Sequence, residues 1–132
     1  MKFLHSMIRS FDVNKSMDFY TKLFGLKLSY KADLEDCTLY YLRDDITGVE
    51  IELTANFEKP ENKYVNGEAF GHFAFETDNF EEFTKKVNEL GYKYIYEPFE
   101  VVLKGEKDVK KLKIAFIEDP DGNEIEIIEK QK

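Results

Sequence analysis

The chain has 132 residues, 42% of them hydrophobic and including 12 Phe and 8 Tyr, enough apolar bulk for one compact domain or two half-size modules. With 27 acidic against 19 basic residues the formal charge is −8, which repels nucleic-acid phosphates and anionic membrane surfaces and predicts neither as a partner. The single cysteine, Cys37, rules out an internal disulfide, and its acidic neighbours Asp33, Glu35 and Asp36 disfavour a thiolate, so a structural thiol is expected. No long apolar stretch or secretory pattern stands at the N-terminus, so a cytoplasmic setting is expected.

In chain order, residues 3–9 read as a strand rich in bulky side chains. Met17, Tyr20, Leu23 and Phe24 then recur at helical spacing, predicting a helix over 14–24 with Asn14 as N-cap and Gly25 as a left-handed C-terminal stop. Short alternating runs at 26–32, 38–43 and 49–54 predict three strands, and the polar segment 55–70 with Pro60 and Gly67 reads as a linker. The same order then begins again. Residues 71–77 read as a strand, 79–90 as a helix with Phe80, Phe83, Val87 and Leu90 on one face and Asp78 with Glu81 as capping box, and Gly91 as its stop. Strands follow at 92–97, 100–103, 112–118 and 123–129, the last two joined by the turn Asp119-Pro120-Asp121-Gly122.

The chain is therefore written twice. His5 precedes Gly25 by 20 residues and His72 precedes Gly91 by 19, so the two registers agree to within one residue. The expected fold is α+β, two βαβββ modules (1–54 and 71–132 around the 55–70 linker). One helix is too small to cover the face of one module's sheet, so two modules are expected to pair about a groove between curved sheets.

A lone histidine on a strand is usually structural. Here the chain's two histidines, His5 and His72, fall at the same place of the repeat. The last strand of each half carries Glu-Ile-Glu followed by an aliphatic residue, Glu50-Ile51-Glu52-Leu53 and Glu124-Ile125-Glu126-Ile127. Alternate residues of a strand share a face, so Glu50, Glu52, Thr54 and Asn56 point one way and Ile51 and Leu53 the other, as His5 does with Met7 and Arg9. Two imidazoles and two carboxylates on equivalent strands make a mixed N/O donor set for Ni²⁺, Co²⁺, Zn²⁺, Mn²⁺ or Fe²⁺. Glu50 and Glu124 read as solvated strand residues. For Glu52 and Glu126 the repeat favours metal, although spacing alone leaves a solvated face equally open.

Several segments together resemble glyoxalase I (lactoylglutathione lyase) of the vicinal oxygen chelate superfamily, over nearly the whole chain. They are Leu4-His5-Ser6-Met7-Ile8-Arg9, Asp18-Phe19-Tyr20-Thr21-Lys22, Ile51-Glu52-Leu53-Thr54-Ala55-Asn56, Phe70-Gly71-His72, and Ala115 through Gly122 with Ile125-Glu126. The resemblance implies metal ligands at His5, Glu52, His72 and Glu126. It further implies Glu126 as the base with Glu52 assisting, Arg9 and Asn56 as contacts to glutathione, and a homodimer with sites at the interface. A short chain with His at position 5 is similar to the bacterial class served best by Ni²⁺ or Co²⁺, with Zn²⁺ a further possibility. The implied reaction isomerises the methylglyoxal–glutathione hemithioacetal to S-lactoylglutathione through an enediolate, whose negative oxygens call for a Lewis acid. Two features depart from the pattern: Glu68 stands where some relatives carry a carboxylate-binding Arg, and the segment 99–111 is long and lysine-rich. Both leave the thiol open, and a solvated loop accounts for most charges of Lys104, Lys107, Lys110, Lys111 and Lys113. Rival readings within the superfamily are an extradiol dioxygenase, a fosfomycin-inactivating thiol transferase, a methylmalonyl-CoA epimerase-like enzyme and a metal-free drug-binding protein. Glu52, as a fourth ligand, argues against the first two.

Overall fold

A computed structural model describes residues 1–132 as two compact units, Met1–Gly67 and Glu68–Lys132. The first unit runs β1 (His5–Arg9), α1 (Val13–Asp18) continuing as a π-helical turn (Phe19–Leu23), β2 (Lys27–Asp33), β3 (Cys37–Arg43) and β4 (Glu50–Asn56). The second runs β5 (His72–Thr77), α2 (Phe80–Glu89), β6 (Tyr94–Lys104), β7 (Val109–Glu118) and β8 (Glu124–Glu129). Each is a βαβββ module, and the sheet orders β1-β4-β3-β2 and β5-β8-β7-β6 are the same topology. The repeat read from the sequence is thus a repeat of structure.

In both sheets the last strand is central. β4 pairs in parallel with β1 and antiparallel with β3, and β8 pairs likewise with β5 and β7. Its alternation splits the sheet faces. Ile51 and Leu53 are buried on one side of β4, as are Ile125 and Ile127 of β8, while the glutamates between them take the other side. The buried side chains Phe19, Tyr20, Leu23, Leu42 and Leu53 supply the first unit's core, and Phe80, Phe83, Val87, Ala115, Ile117, Ile125 and Ile127 that of the second. At about 25 cal/mol per Å² of apolar surface, each fully buried Leu, Ile or Phe contributes roughly 1.5–3 kcal/mol.

Several boundaries differ from the sequence reading. The first helix is capped by Asp12, whose carboxylate accepts from Lys15 N at 3.3 Å, and Asn14 lies inside the helix. A buried hydroxyl pair, Ser10 with Ser16 at 2.6 Å, ties this helix to the end of β1. The second helix is capped by Asn79, one residue beyond Asp78, because Asn79 is still extended (φ −161°, ψ 149°) and accepts from Glu82 N at 2.8 Å. Glu129 of β8 accepts from Phe80 N at 2.7 Å, a carboxylate on the positive end of the helix dipole. Gly25 and Gly91 do stop the helices, at φ +72° and +79° where L-residues with a Cβ are strained. β1 begins at His5 instead of Phe3, and β4 continues to Asn56 because Ala55 and Asn56 find ladder partners in Thr38 and Cys37.

The largest correction lies at 94–118. The runs 92–97 and 100–103 are one strand, β6, whose register shifts between Tyr94 and Tyr96 and again between Tyr96 and Phe99. Pro98 is tolerated there because β6 is an edge strand, where a missing N–H faces outward. Lys104 ends β6 and Lys110, Lys111 and Lys113 belong to β7, so the basic segment is a β-hairpin with only Lys107 in its turn. Val109, Leu112 and Ile114 are interspersed with those lysines along the strand.

Aspartates fix both turns into the central strands. Asp44 accepts from Ile46 N at 3.2 Å and from the Thr47 hydroxyl at 2.7 Å. Asp119, buried, accepts from Asp121 N and Asn123 N at 2.9 Å each and from Asn123 Nδ2 at 2.8 Å. Removing a buried acceptor strands its donors without water, at about 1–3 kcal/mol, whereas a more exposed site is rescued by solvent. Urea unfolding should therefore show Asp119→Ala costing about 1–3 kcal/mol or more and Asp44→Ala less, about 0.5–1.5 kcal/mol. The reverse order would refute this account of the turns.

Candidate functional site

Ladder registers decide which side chains meet. On the parallel side His5 aligns with Glu50 and Met7 with Glu52, yet His5 reaches one step along its face, placing Nε2 3.0 Å from Glu52 Oε2. The second unit repeats the arrangement: His72 aligns with Glu124 and places Nε2 3.1 Å from Glu126 Oε2. On the antiparallel side Tyr41 stands opposite Glu52 and Phe116 opposite Glu126. Their rings meet the imidazoles edge-on, His5–Tyr41 at 5.6 Å and 75°, His72–Phe116 at 5.6 Å and 79°. Behind each stands another tyrosine, Tyr30 at 6.0 Å from Tyr41 and Tyr96 at 6.0 Å from Phe116.

Each unit thus presents one imidazole nitrogen and one carboxylate oxygen as neighbours, walled by aromatics. Neither unit gathers a third His, Cys, Asp or Glu side chain into its pair. Donor chemistry and spacing both fit a shared divalent cation. Two cis ligands with metal–N/O distances of about 2.0–2.2 Å on an octahedral ion stand about 2.8–3.1 Å apart, and on a tetrahedral ion about 3.3–3.6 Å. The side chains are also half-accessible, His5 36% and His72 39% against 12% for Glu52 and 18% for Glu126, so both pairs open outward with the carboxylate recessed.

Glu52 and Glu126 differ in their surroundings. Hydrogen bonding toward Glu52, then burial and the charges of Glu52 and Glu50, push the Tyr41 phenol above its ordinary range. The Thr54 hydroxyl lies 3.5 Å from Glu52 Oε1. Glu50, read as a solvated residue, is held by the Ser29 hydroxyl, whereas Glu124 is exposed.

Arg9 and Asn56 lie further along the same sheet face as His5 and Glu52. Arg9 aligns with Thr54, Asn56 with Cys37, and the Arg9 charge acts on the Cys37 thiol. Asn56 Oδ1 is buried without a hydrogen-bond partner, an acceptor that ordinarily finds a donor. Sequence reasoning missed the four aromatics. Tyr41 and Phe116 were legible only as strand formers, since their place beside the glutamates follows from ladder register, which the turn geometry sets.

Two βαβββ modules, each with an imidazole–carboxylate pair on the same face of its sheet, make a duplicated glyoxalase-like fold. The model of the glyoxalase/bleomycin resistance protein/dioxygenase superfamily matches residues 2–127. Lactoylglutathione lyase of Escherichia coli O157:H7 is 39% identical over 136 residues, covering 99% of this chain and 94% of its own length. That of Neisseria meningitidis serogroup A is 34% identical, covering 99% and 92%. Among solved structures, glyoxalase I from Zea mays superposes with a TM-score of 0.82 at 33% identity over 99% of this chain, which spans 45% of the maize chain. The trypanothione-dependent glyoxalase I of Leishmania major gives 0.75 at 28% identity, covering 98% and 86%. The chain belongs to the glyoxalase/bleomycin resistance protein/dioxygenase superfamily.

Cys37 is buried, and burial followed by the adjacent Asp36 carboxylate raises its pKa, so little of it is thiolate near neutrality. A disulfide reagent at pH 7.5 should modify native Cys37 at least about ten-fold more slowly than the guanidinium-unfolded chain. Equal rates would contradict a structural thiol.

Proposed function

We propose that this protein isomerises the hemithioacetal of methylglyoxal and glutathione to S-lactoylglutathione, with one divalent cation per site held by His5, Glu52, His72 and Glu126. The observation that carries the reading is the duplicated imidazole–carboxylate pair, at 3.0 and 3.1 Å, on equivalent strands of a chain in this superfamily. The relatives named lactoylglutathione lyase, matching 99% of the chain, support it.

The reaction moves a proton between adjacent carbons. When bound, the cation supplies Lewis-acid stabilisation of the negative charge that develops on the substrate oxygens. The remaining work falls to the protein. Glu126 takes the carbon-bound proton and returns it one carbon over, and Glu52 assists from the first unit. Arg9 supplies a fixed cation for a carboxylate of the thiol, and the buried Asn56 Oδ1 accepts from one of its amides. Tyr41 and Phe116 wall the carboxylates and limit the water that competes for the proton.

Ni²⁺ or Co²⁺ is the proposed ion, ahead of Zn²⁺, and the cytoplasm, with its reduced thiols, the proposed setting. No helix of the chain is long and apolar enough to cross a membrane. After exhaustive chelation activity should vanish, and Ni²⁺ or Co²⁺ should restore it further than Zn²⁺. Glu126→Gln should lower kcat by about 10²–10⁴-fold while the fold is retained. Full turnover of metal-free protein, or a near-normal rate in a metal-loaded Glu126→Gln protein, would overturn the reading.

Two donors per unit also bear on assembly. We infer a homodimer in which a first-unit pair of one chain meets a second-unit pair of the other, and each site face carries exposed side chains suited to a partner, Met7 and Tyr30 in one unit and Tyr96 in the other. His5→Ala and His72→Ala homodimers should each be inactive. Refolded together in equal amounts, about half the dimers are mixed, and each mixed dimer concentrates both lesions in one site and leaves the other intact. Activity should return to roughly a quarter of wild type. No recovery, with mixed dimers demonstrated by mass, would reject the shared site.

A further inference from the structure

The two units repeat each other strand for strand, and the second adds one element that the first lacks. Every residue of β3 from Cys37 to Arg43 has a partner on β4, so the β2–β3 hairpin ends where its sheet ends. β7 meets β8 only from Ile114 onward, and Val109–Lys113 pair with β6 alone, at Glu100–Lys104. The result is a two-stranded arm reaching about 16 Å past the sheet at about 3.3 Å per residue. Its base is tied down, by Lys113 over the Phe80 ring at 5.7 Å and by Gln131 Nε2 donating to the Lys111 carbonyl at 3.0 Å. Two strands alone are marginal in water, and this arm exposes apolar side chains on both faces. Leu103 lies on the face that Leu112, Ile114 and Phe116 share with Glu126, and Val102 and Val109 lie on the other. Its charge is equally unmatched. Segment 104–113 carries five lysines against Glu106 and Asp108 in a chain of net charge −8, and none of those lysines forms an ion pair.

We propose that this arm clasps a second copy of the chain, its basic outer half docking on the acidic turn Asp33–Asp36 between β2 and β3 of the other copy. The inference rests on the homodimer reading, in which the second unit of one chain meets the first unit of the other, and adds a contact outside the histidine–glutamate pairs. Most acids of the first unit are already engaged. Asp12 caps α1, Asp18 and Asp45 pair with lysines, Asp44 holds its own turn, Glu50 is held by Ser29 and Glu52 lies against His5. Glu58 and Glu61 are balanced by their sequence neighbours Lys59 and Lys63. Asp33, Glu35 and Asp36 differ: all three are exposed around an exposed Leu34, and no cation pairs with any of them. The turn thus offers what the arm lacks, three carboxylates for Lys104, Lys107 and Lys110 and an apolar side chain for Leu103 and Val109. Exposed ion pairs are individually weak, so the cluster acts together with the apolar side chains it covers. A two-fold axis gives each chain one arm and one receiving turn, so two clasps close and neither is left to recruit a third chain.

The test reads the contact directly and then swaps its charges. Unlabelled and ¹⁵N-labelled chains, refolded together in equal amounts, are treated with a zero-length carbodiimide, which joins a lysine only to a carboxylate in contact with it. Peptides carrying Lys104, Lys107 or Lys110 should be joined to the peptide carrying Asp33–Asp36, and about half of those products should mix the two isotopes, the mark of a bond between chains. Reversing the arm with Lys104→Glu, Lys107→Glu and Lys110→Glu should raise the dimer dissociation constant about ten-fold or more in sedimentation equilibrium at low salt. Adding Glu35→Lys and Asp36→Lys to that variant should recover most of the loss. The same change of net charge placed at Glu58 and Glu61 should not, which separates a local contact from general repulsion between acidic chains. Products confined to single isotopes, no products at all, or equal recovery from both pairs of substitutions would reject the clasp while the dimer stands. A wild-type chain that sediments only as a monomer overturns the homodimer reading and the clasp with it.

Discussion

Everything about the candidate site depends on the two-sided constraint on one strand per module. β4 and β8 are central, so each must satisfy a parallel neighbour on one edge and an antiparallel neighbour on the other, while keeping Ile and Leu on the core face. A register slip of one residue would turn Ile51 and Leu53 outward and Glu50 and Glu52 into the core, at the cost of both hydrophobic burial and charge desolvation. That penalty locks the glutamates onto the open face. The parallel neighbour then brings a histidine to each and the antiparallel neighbour an aromatic ring. Packing energy on one side of the sheet thus fixes donor geometry on the other.

How far the sequence revealed this follows from what each signal encodes. Alternation is local, so the faces of Glu52 and Glu126 and the repeat that relates them were readable from spacing alone. Helix caps were misplaced by one residue at Asn79 and by two at Asp12, because several polar residues in a row can each cap and the backbone angle decides between them. The 94–118 hairpin was misread for another reason: Pro98 and the lysines look like loop chemistry, but an edge strand tolerates the first and solvates the second. The aromatics beside the carboxylates were illegible because cross-strand neighbours depend on turn length and bulges, and those were settled by the side-chain hydrogen bonds of Asp44 and Asp119.

Duplication has a consequence of its own. A module with one histidine and one glutamate in contact offers a cation only two protein ligands, too few for a tightly held ion of this kind. Repeating the module provides a second histidine–glutamate pair without a new fold, since the strands that place the first pair place the second by the same ladder rules. The two pairs match in geometry but not in their surroundings. Changing Tyr to Phe opposite the glutamate, and Thr to Ile two residues along its strand, alters neither ring stacking nor the buried alternation of Ile and Leu. Both positions share the glutamate's side of the sheet, Tyr41 half-buried and Thr54 buried. They are therefore where a duplicated site can become unequal while both modules keep folding the same way.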